Sequence, residues 1–119
     1  VKGSSRRPEQ VAETLRQVIA DALAREVRDP RVGFVTVTGV LVTNDLSHAR
    51  VLVSVTGGES ERARALQGLQ SAAGFLRTRA ARALTTRTVP ELHFELDQGL
   101  AHAARIDQLL QEIRRESQD

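Results

Sequence analysis

Between Glu61 and Arg87 the apolar residues Leu66, Leu69, Ala73, Leu76, Ala80 and Leu84 recur at three- and four-residue intervals, the spacing that lines one face of an α-helix. Three small residues in the middle, Ala72-Ala73-Gly74, interrupt the pattern. An internal glycine costs a helix about 1 kcal/mol relative to alanine, and a run of small side chains lets another backbone come close. The expectation is two helices with a break between them, serving either packing or a nucleic acid. Arg62, Arg64, Arg77, Arg79, Arg82 and Arg87 flank the break. Any fold for this chain must therefore carry a long helical crossover in its second half.

What precedes the crossover reads as one helix and a hairpin. From Pro8, the residues Val11, Leu15, Val18, Ile19, Ala22 and Leu23 form an apolar helical stripe, with proline suited to the first turn and Glu9 to the positive end of the helix dipole. The helix must stop before Pro30, and Asp29-Pro30-Arg31 makes a corner. Phe34 to Val42 is dense in β-branched residues, with Gly39 marking a bulge, and Ala49 to Val55 is a second strand. Asn44-Asp45-Leu46-Ser47 is turn chemistry, so the two strands pair antiparallel. Gly57-Gly58 ends the hairpin, and Ser60 is the expected N-cap of the next helix.

After the crossover, Pro90 opens Glu91 to Asp97, a strict alternation in which Leu92, Phe94 and Leu96 face one way. That is a half-buried strand, and the helical connection lets it lie parallel to an earlier one. Gly99 separates it from a last helix, Ala101 to Glu116, with Ala103, Ile106, Leu110 and Ile113 on one side. The order helix, strand, strand, helix, break, helix, strand, helix gives an α+β fold: a three-stranded mixed sheet with helices packed on one face.

At 119 residues the chain is expected to form a single domain, 8–116, between a flexible segment 1–7 and a tail 117–119. It has no cysteine, which excludes disulfides and thiolate metal sites. No apolar run approaches a membrane span, and the first seven residues lack the apolar core of a secretory signal. A soluble, cytoplasmic monomer is expected. The formal charge is only +2, so distribution matters more than balance. Acids crowd the end of the chain, whereas Arg77, Arg79, Arg82 and Arg87 have none among them. Every basic residue but Lys2 is arginine, whose planar fork suits bidentate phosphate contact.

An enzyme is not expected. His48 lies near Asp45, His93 lies between Glu91 and Glu95, and His102 begins the last helix, so the histidines form no spaced set. Glu91, His93, Glu95 and Asp97 point the same way from one strand and offer metal-ligand types, yet a solvated strand face looks the same. No nucleophile elbow, phosphate loop or dinucleotide fingerprint occurs. No cofactor or metal is expected. RNA binding is the sharper reading, and Phe34, Phe75 and Phe94 look buried, which argues against stacking bases on aromatics. Contact would come through phosphates, with a helix starting after Gly74 offering free amides beside Arg77, Arg79 and Arg82.

Taken in order, Asp29-Pro30-Arg31, the strands around Val37 to Val55 with Asp45 in the turn and Ala49-Arg50-Val51 after it, Ala72-Ala73-Gly74-Phe75-Leu76-Arg77, and Arg87-Thr88-Val89-Pro90 running on to Asp97 resemble the ribosome-binding factor A family. The likeness spans Arg7 to Ile113. It implies a type II KH-like domain in which an AxG kink at Ala72, Ala73 and Gly74 replaces the usual GxxG loop. It also implies a bacterial factor without a cofactor that binds the 30S small ribosomal subunit and its 16S rRNA. Late 30S maturation, 5′-end processing of 16S rRNA and growth in the cold are the implied roles, with ribosome-associated GTPases as conceivable further partners. Its RNA-contact role carries over to Gly74, Arg77 and Arg87. Charge alone nominates Arg79 and Arg82, and Arg31 and Arg50 stand within matched motifs. The alternative is a protein-interaction module acting through its sheet edge or helix surface.

Overall fold

Helix α1 spans Pro8–Arg25 in the computed structural model, which describes residues 7–85 and 88–98. It buries Val11, Leu15, Ile19 and Ala22, the expected stripe, with Val18 and Leu23 at its margins. Pro8 occupies the first turn and Arg25 the last, each where the geometry or the dipole of a helix favours it. The corner that follows is a short 3-10 turn, Pro30–Val32, capped by Asp29, whose carboxylate accepts from the Arg31 amide at 2.9 Å.

Strands β1 (Val35–Val42) and β2 (His48–Val55) pair antiparallel, and β3 (Glu91–Leu96) lies parallel to β2, giving the order β1-β2-β3. The register slips between Val37 and Gly39, where the glycine placed a bulge. In the hairpin turn the Asp45 carboxylate accepts from the Ser47 amide, the Ser47 hydroxyl and the Thr43 hydroxyl. Those donors favour its charged form and hold its pKa at about 2. Leu46 takes a left-handed conformation with φ 62°, which this fixed turn imposes on a non-glycine residue.

Both helices cover the sheet face that carries Ala49, Val51, Val53, Leu92 and Phe94. The opposite face presents His48, Arg50, Glu91 and His93 to solvent. This is the α+β mixed sheet expected from the sequence. Helix α2, however, runs unbroken from Glu59 to Ala83. Ala72-Ala73-Gly74 do not divide it into two helices, because two of the three are alanines, the best helix formers, and one glycine costs only about 1 kcal/mol. Leu69 and Leu76, both fully buried, anchor the helix in the same core on either side. With no second helix N-terminus, the free amides expected after Gly74 are absent.

Other boundaries differ by smaller amounts. The α2 N-cap is Gly58, not Ser60, since Gly57 turns the chain at φ 129° and the Glu61 carboxylate accepts from the Gly58 amide at 2.9 Å. Phe34 and Phe75 are 76% and 44% exposed, against the expectation of burial. Phe34 falls one residue before β1, and Phe75 is turned by about 100° from its neighbour Leu76, off the stripe made by Leu69, Leu76 and Ala80. Phe94 is buried as expected. The last helix expected from Ala101, with His102, and the tail lie outside the described residues.

Candidate nucleic-acid interface

The second half of α2 builds a shallow groove with the segment leading to β3. Gly74, Arg77, Thr78 and Ala81 line it from the helix, Thr88 and Val89 from across. The spacing i, i+3, i+4, i+7 puts the helical members on one face. Opposite that face, Leu76 and Ala80 are buried, so core packing fixes which way the groove opens. Pro90, fully buried, holds the far wall where it joins β3.

Gly74 is the floor. A Cβ placed there would meet nothing within 4 Å among the described residues, so the missing side chain leaves open surface and not a packing contact. The Gly74 carbonyl accepts from the Thr78 hydroxyl at 3.0 Å, a bond that tends to bend a helix without breaking it. Ala72 and Ala73 are half-buried on the core side and do not face the groove. The helix therefore offers a bare strip of backbone at Gly74 alone.

The arginines nominated by the sequence divide by partner. Arg31 is held by Asp29, its Nη2 2.6 Å from one carboxylate oxygen and its Nε bonded to both; the contact lowers the Asp29 pKa. Arg50 makes a two-pronged pair with Glu95 across the open sheet face, both bonds at 2.8 Å, which lowers the Glu95 pKa. Arg79 pairs with Glu26 at the end of α1 and lies over the Phe75 ring, 5.6 Å from its centroid. In these three the guanidinium fork is already occupied by a carboxylate.

Arg77 and Arg82 are different. Arg77 donates one N–H to the Val89 carbonyl at 2.9 Å, which spans the groove, and it has no carboxylate partner among the described residues. Arg82, exposed in the last turn of α2, has no hydrogen-bond or ion-pair partner among the described residues. Arg87 lies outside them. The structure thus places Gly74 and Arg77 on the groove and Arg82, five residues after Arg77, in the last turn of the same helix, and sets Arg31, Arg50 and Arg79 into pairs elsewhere. Thr78, Thr88 and Val89 were not nominated from sequence. The i+4 relation of Thr78 to Gly74 was the available signal for the first; the other two needed the path of the chain into β3.

No helix among the described residues is long and apolar enough to cross a membrane. Compared with known proteins, residues 7–110 match the family model described as ribosome-binding factor A. The chain is 50% identical over 114 residues to ribosome-binding factor A of Thermomicrobium roseum, covering 96% of this chain and 88% of the relative. It is 46% identical over 109 residues to that of Desulforamulus reducens, covering 92% and 91%. Among solved structures it is similar to crystalline ribosome-binding factor A from Thermus thermophilus, with TM-score 0.65 and 27% identity over 75% of this chain and 94% of that one. A homology model of Thermus thermophilus ribosome-binding factor A, fitted into the cryo-EM map of its complex with 30S, matches with TM-score 0.53 and 31% identity, over 71% of this chain and 92% of that one.

Proposed function

The chain belongs to the ribosome-binding factor A family, a family of non-catalytic assembly factors, and we propose from that premise that it binds the 30S small ribosomal subunit. In this reading the groove at Gly74 and Arg77 receives the 16S rRNA backbone, with Arg82 adding charge from the last turn of α2 outside the groove lining. The protein assists late 30S maturation and 5′-end processing of 16S rRNA in the bacterial cytoplasm and supports growth in the cold. The observation that carries the contact is the coincidence, in the second half of α2, of an open glycine with two arginines that have no carboxylate partner among the described residues.

The physical logic is displacement of counterions. A guanidinium presents a rigid fork of N–H donors to phosphate, and each phosphate so neutralised releases ions to the solution. Glycine at the floor lets a sugar-phosphate chain approach the helix more closely than any side chain would. Arg77, already steered across the groove by the Val89 carbonyl, gives up little rotamer freedom on binding. The protein then acts by holding one local RNA arrangement, with no chemical step.

Co-sedimentation with 30S subunits at two salt concentrations tests this. Arg77→Glu with Arg82→Glu is expected to leave the fold intact and to weaken binding, and the salt dependence should become shallower by about one unit of log-log slope per arginine. Binding by the double variant equal to wild type at both salts would overturn it. A protein-interaction module is the second reading, favoured by the exposed Leu41 on edge strand β1 and the groove it shares with Pro8, Ala12 and Arg16 of α1. An apolar contact there would give affinity that hardly responds to salt.

A further inference from the structure

The open face of the sheet carries a cluster that the RNA reading does not use. The parallel register sets His48 of β2 opposite Glu91 of β3, with His93 two residues further along β3 on the same face. His48 Nδ1 and His93 Nε2 stand 3.0 Å apart, and Glu91 Oε1 is 3.5 Å from the same His93 nitrogen. All three candidate ligand atoms lie within 4.8 Å of one another. No histidine set was visible in the sequence, because His48 and His93 are separated by the whole of α2 and meet only through strand pairing.

We propose that His48, Glu91 and His93 form a binding site for a divalent transition-metal ion of the Zn²⁺ class. Zinc binds imidazole nitrogen and carboxylate oxygen at about 2.0–2.2 Å in tetrahedral geometry, which sets neighbouring ligand atoms roughly 3.3–3.5 Å apart. The two shorter separations here bracket that span. Two imidazoles with one carboxylate make a donor set that suits zinc, nickel or copper, whereas magnesium and calcium take oxygen ligands. Three protein ligands leave a fourth position for water. Both facing nitrogens must be unprotonated to bind, and a tautomer shift of one ring supplies this with no net proton released.

The frame around the three ligands is fixed independently of any ion. The Glu91 amide donates to the Ser47 carbonyl at 2.9 Å, and the His48 amide donates to the Thr43 hydroxyl at 3.1 Å. Glu95, the nearest competing carboxylate on the strand, is engaged by Arg50. An ion at this place ties edge strand β3 to central strand β2. Since it binds the folded chain and finds no such set in the unfolded one, it raises the melting temperature.

The test is calorimetric titration of ZnCl₂ into the full chain, with thermal melts in parallel. One ion per chain is expected, with a melting temperature that climbs as zinc is added and no response to MgCl₂. His48→Ala and His93→Ala should each weaken binding by at least the roughly 10–100-fold that loss of an outer-shell partner costs. Glu91→Gln should weaken it less, and His102→Ala, which removes the chain's remaining histidine, should leave it unchanged. Circular dichroism checks that each variant folds, and His48→Gln replaces any alanine variant that does not. Absence of saturable zinc binding, or binding that survives loss of both His48 and His93, would overturn the proposal.

Discussion

Two glycines of α2 stand six positions apart and do opposite things. At Gly68 an added Cβ would lie 2.8 Å from a Val32 methyl and 3.1 Å from the Arg31 Cβ, so the missing side chain is what lets the Pro30–Val32 corner seat against the helix. At Gly74 an added Cβ would meet nothing within 4 Å among the described residues. The first glycine belongs to the fold; the second leaves surface bare. Glycine in a helix carries the same cost of about 1 kcal/mol at either place, so only the surroundings tell which benefit offsets it. Arginines follow the same division: Arg31, beside Gly68, is locked to Asp29, while Arg77, beside Gly74, reaches a carbonyl and no carboxylate among the described residues.

The largest effect expected near this pair comes from Leu76→Ala. Leu76 is fully buried and anchors the half of α2 whose other side is open, so its truncation should cost about 2–5 kcal/mol in urea unfolding. A cost below about 1 kcal/mol would mean that this half of the helix is not held by the core. Gly68→Ala comes next. Its methyl must displace Val32, itself buried, and overpacking of about 1–3 kcal/mol should outweigh the gain in helix propensity. If the variant were instead more stable than wild type, the corner would be yielding and the contrast between the glycines would dissolve.

Gly74→Ala carries the smallest stability change and the opposite sign. With open space for the Cβ, the helix should gain up to about 1 kcal/mol, while 30S binding weakens because the methyl occupies the groove floor. Unchanged affinity in this variant would confine the RNA contact to the arginines. Measuring stability and co-sedimentation on the same preparation separates the two effects.

Much of the fold was legible in the sequence because it rests on local rules. The α1 stripe, the proline stop, the bulge at Gly39 and the alternation of Leu92 and Phe94 each reflect backbone periodicity or steric restriction, and the structure follows them. The continuity of α2 was not legible. A single glycine sits near the balance between breaking and bending, and burial of Leu69 and Leu76, a tertiary effect, decided it. The same holds for the candidate site. Charge without acids nearby in sequence nominated Arg79 together with Arg77 and Arg82, but Glu26, at the end of another helix, claims Arg79. Pairings across strands, such as Arg50 with Glu95 and His48 with His93, depend on a parallel register that sequence alternation leaves free.

The proposed division of α2 is tested most directly by mapping which part of the helix crosslinks to RNA. A photo-crosslinking amino acid placed at Thr78, in the groove, and separately at Gln67, beside the packed glycine, can be bound to 30S subunits and irradiated, and the crosslinked nucleotides mapped. Both positions are exposed, so either can carry the probe without disturbing the core. Crosslinks to 16S rRNA from position 78 and few or none from position 67 are the result predicted. Equal crosslinking from both, or crosslinks from position 78 only to ribosomal protein, would contradict the assignment of the Gly74 end of the helix to RNA.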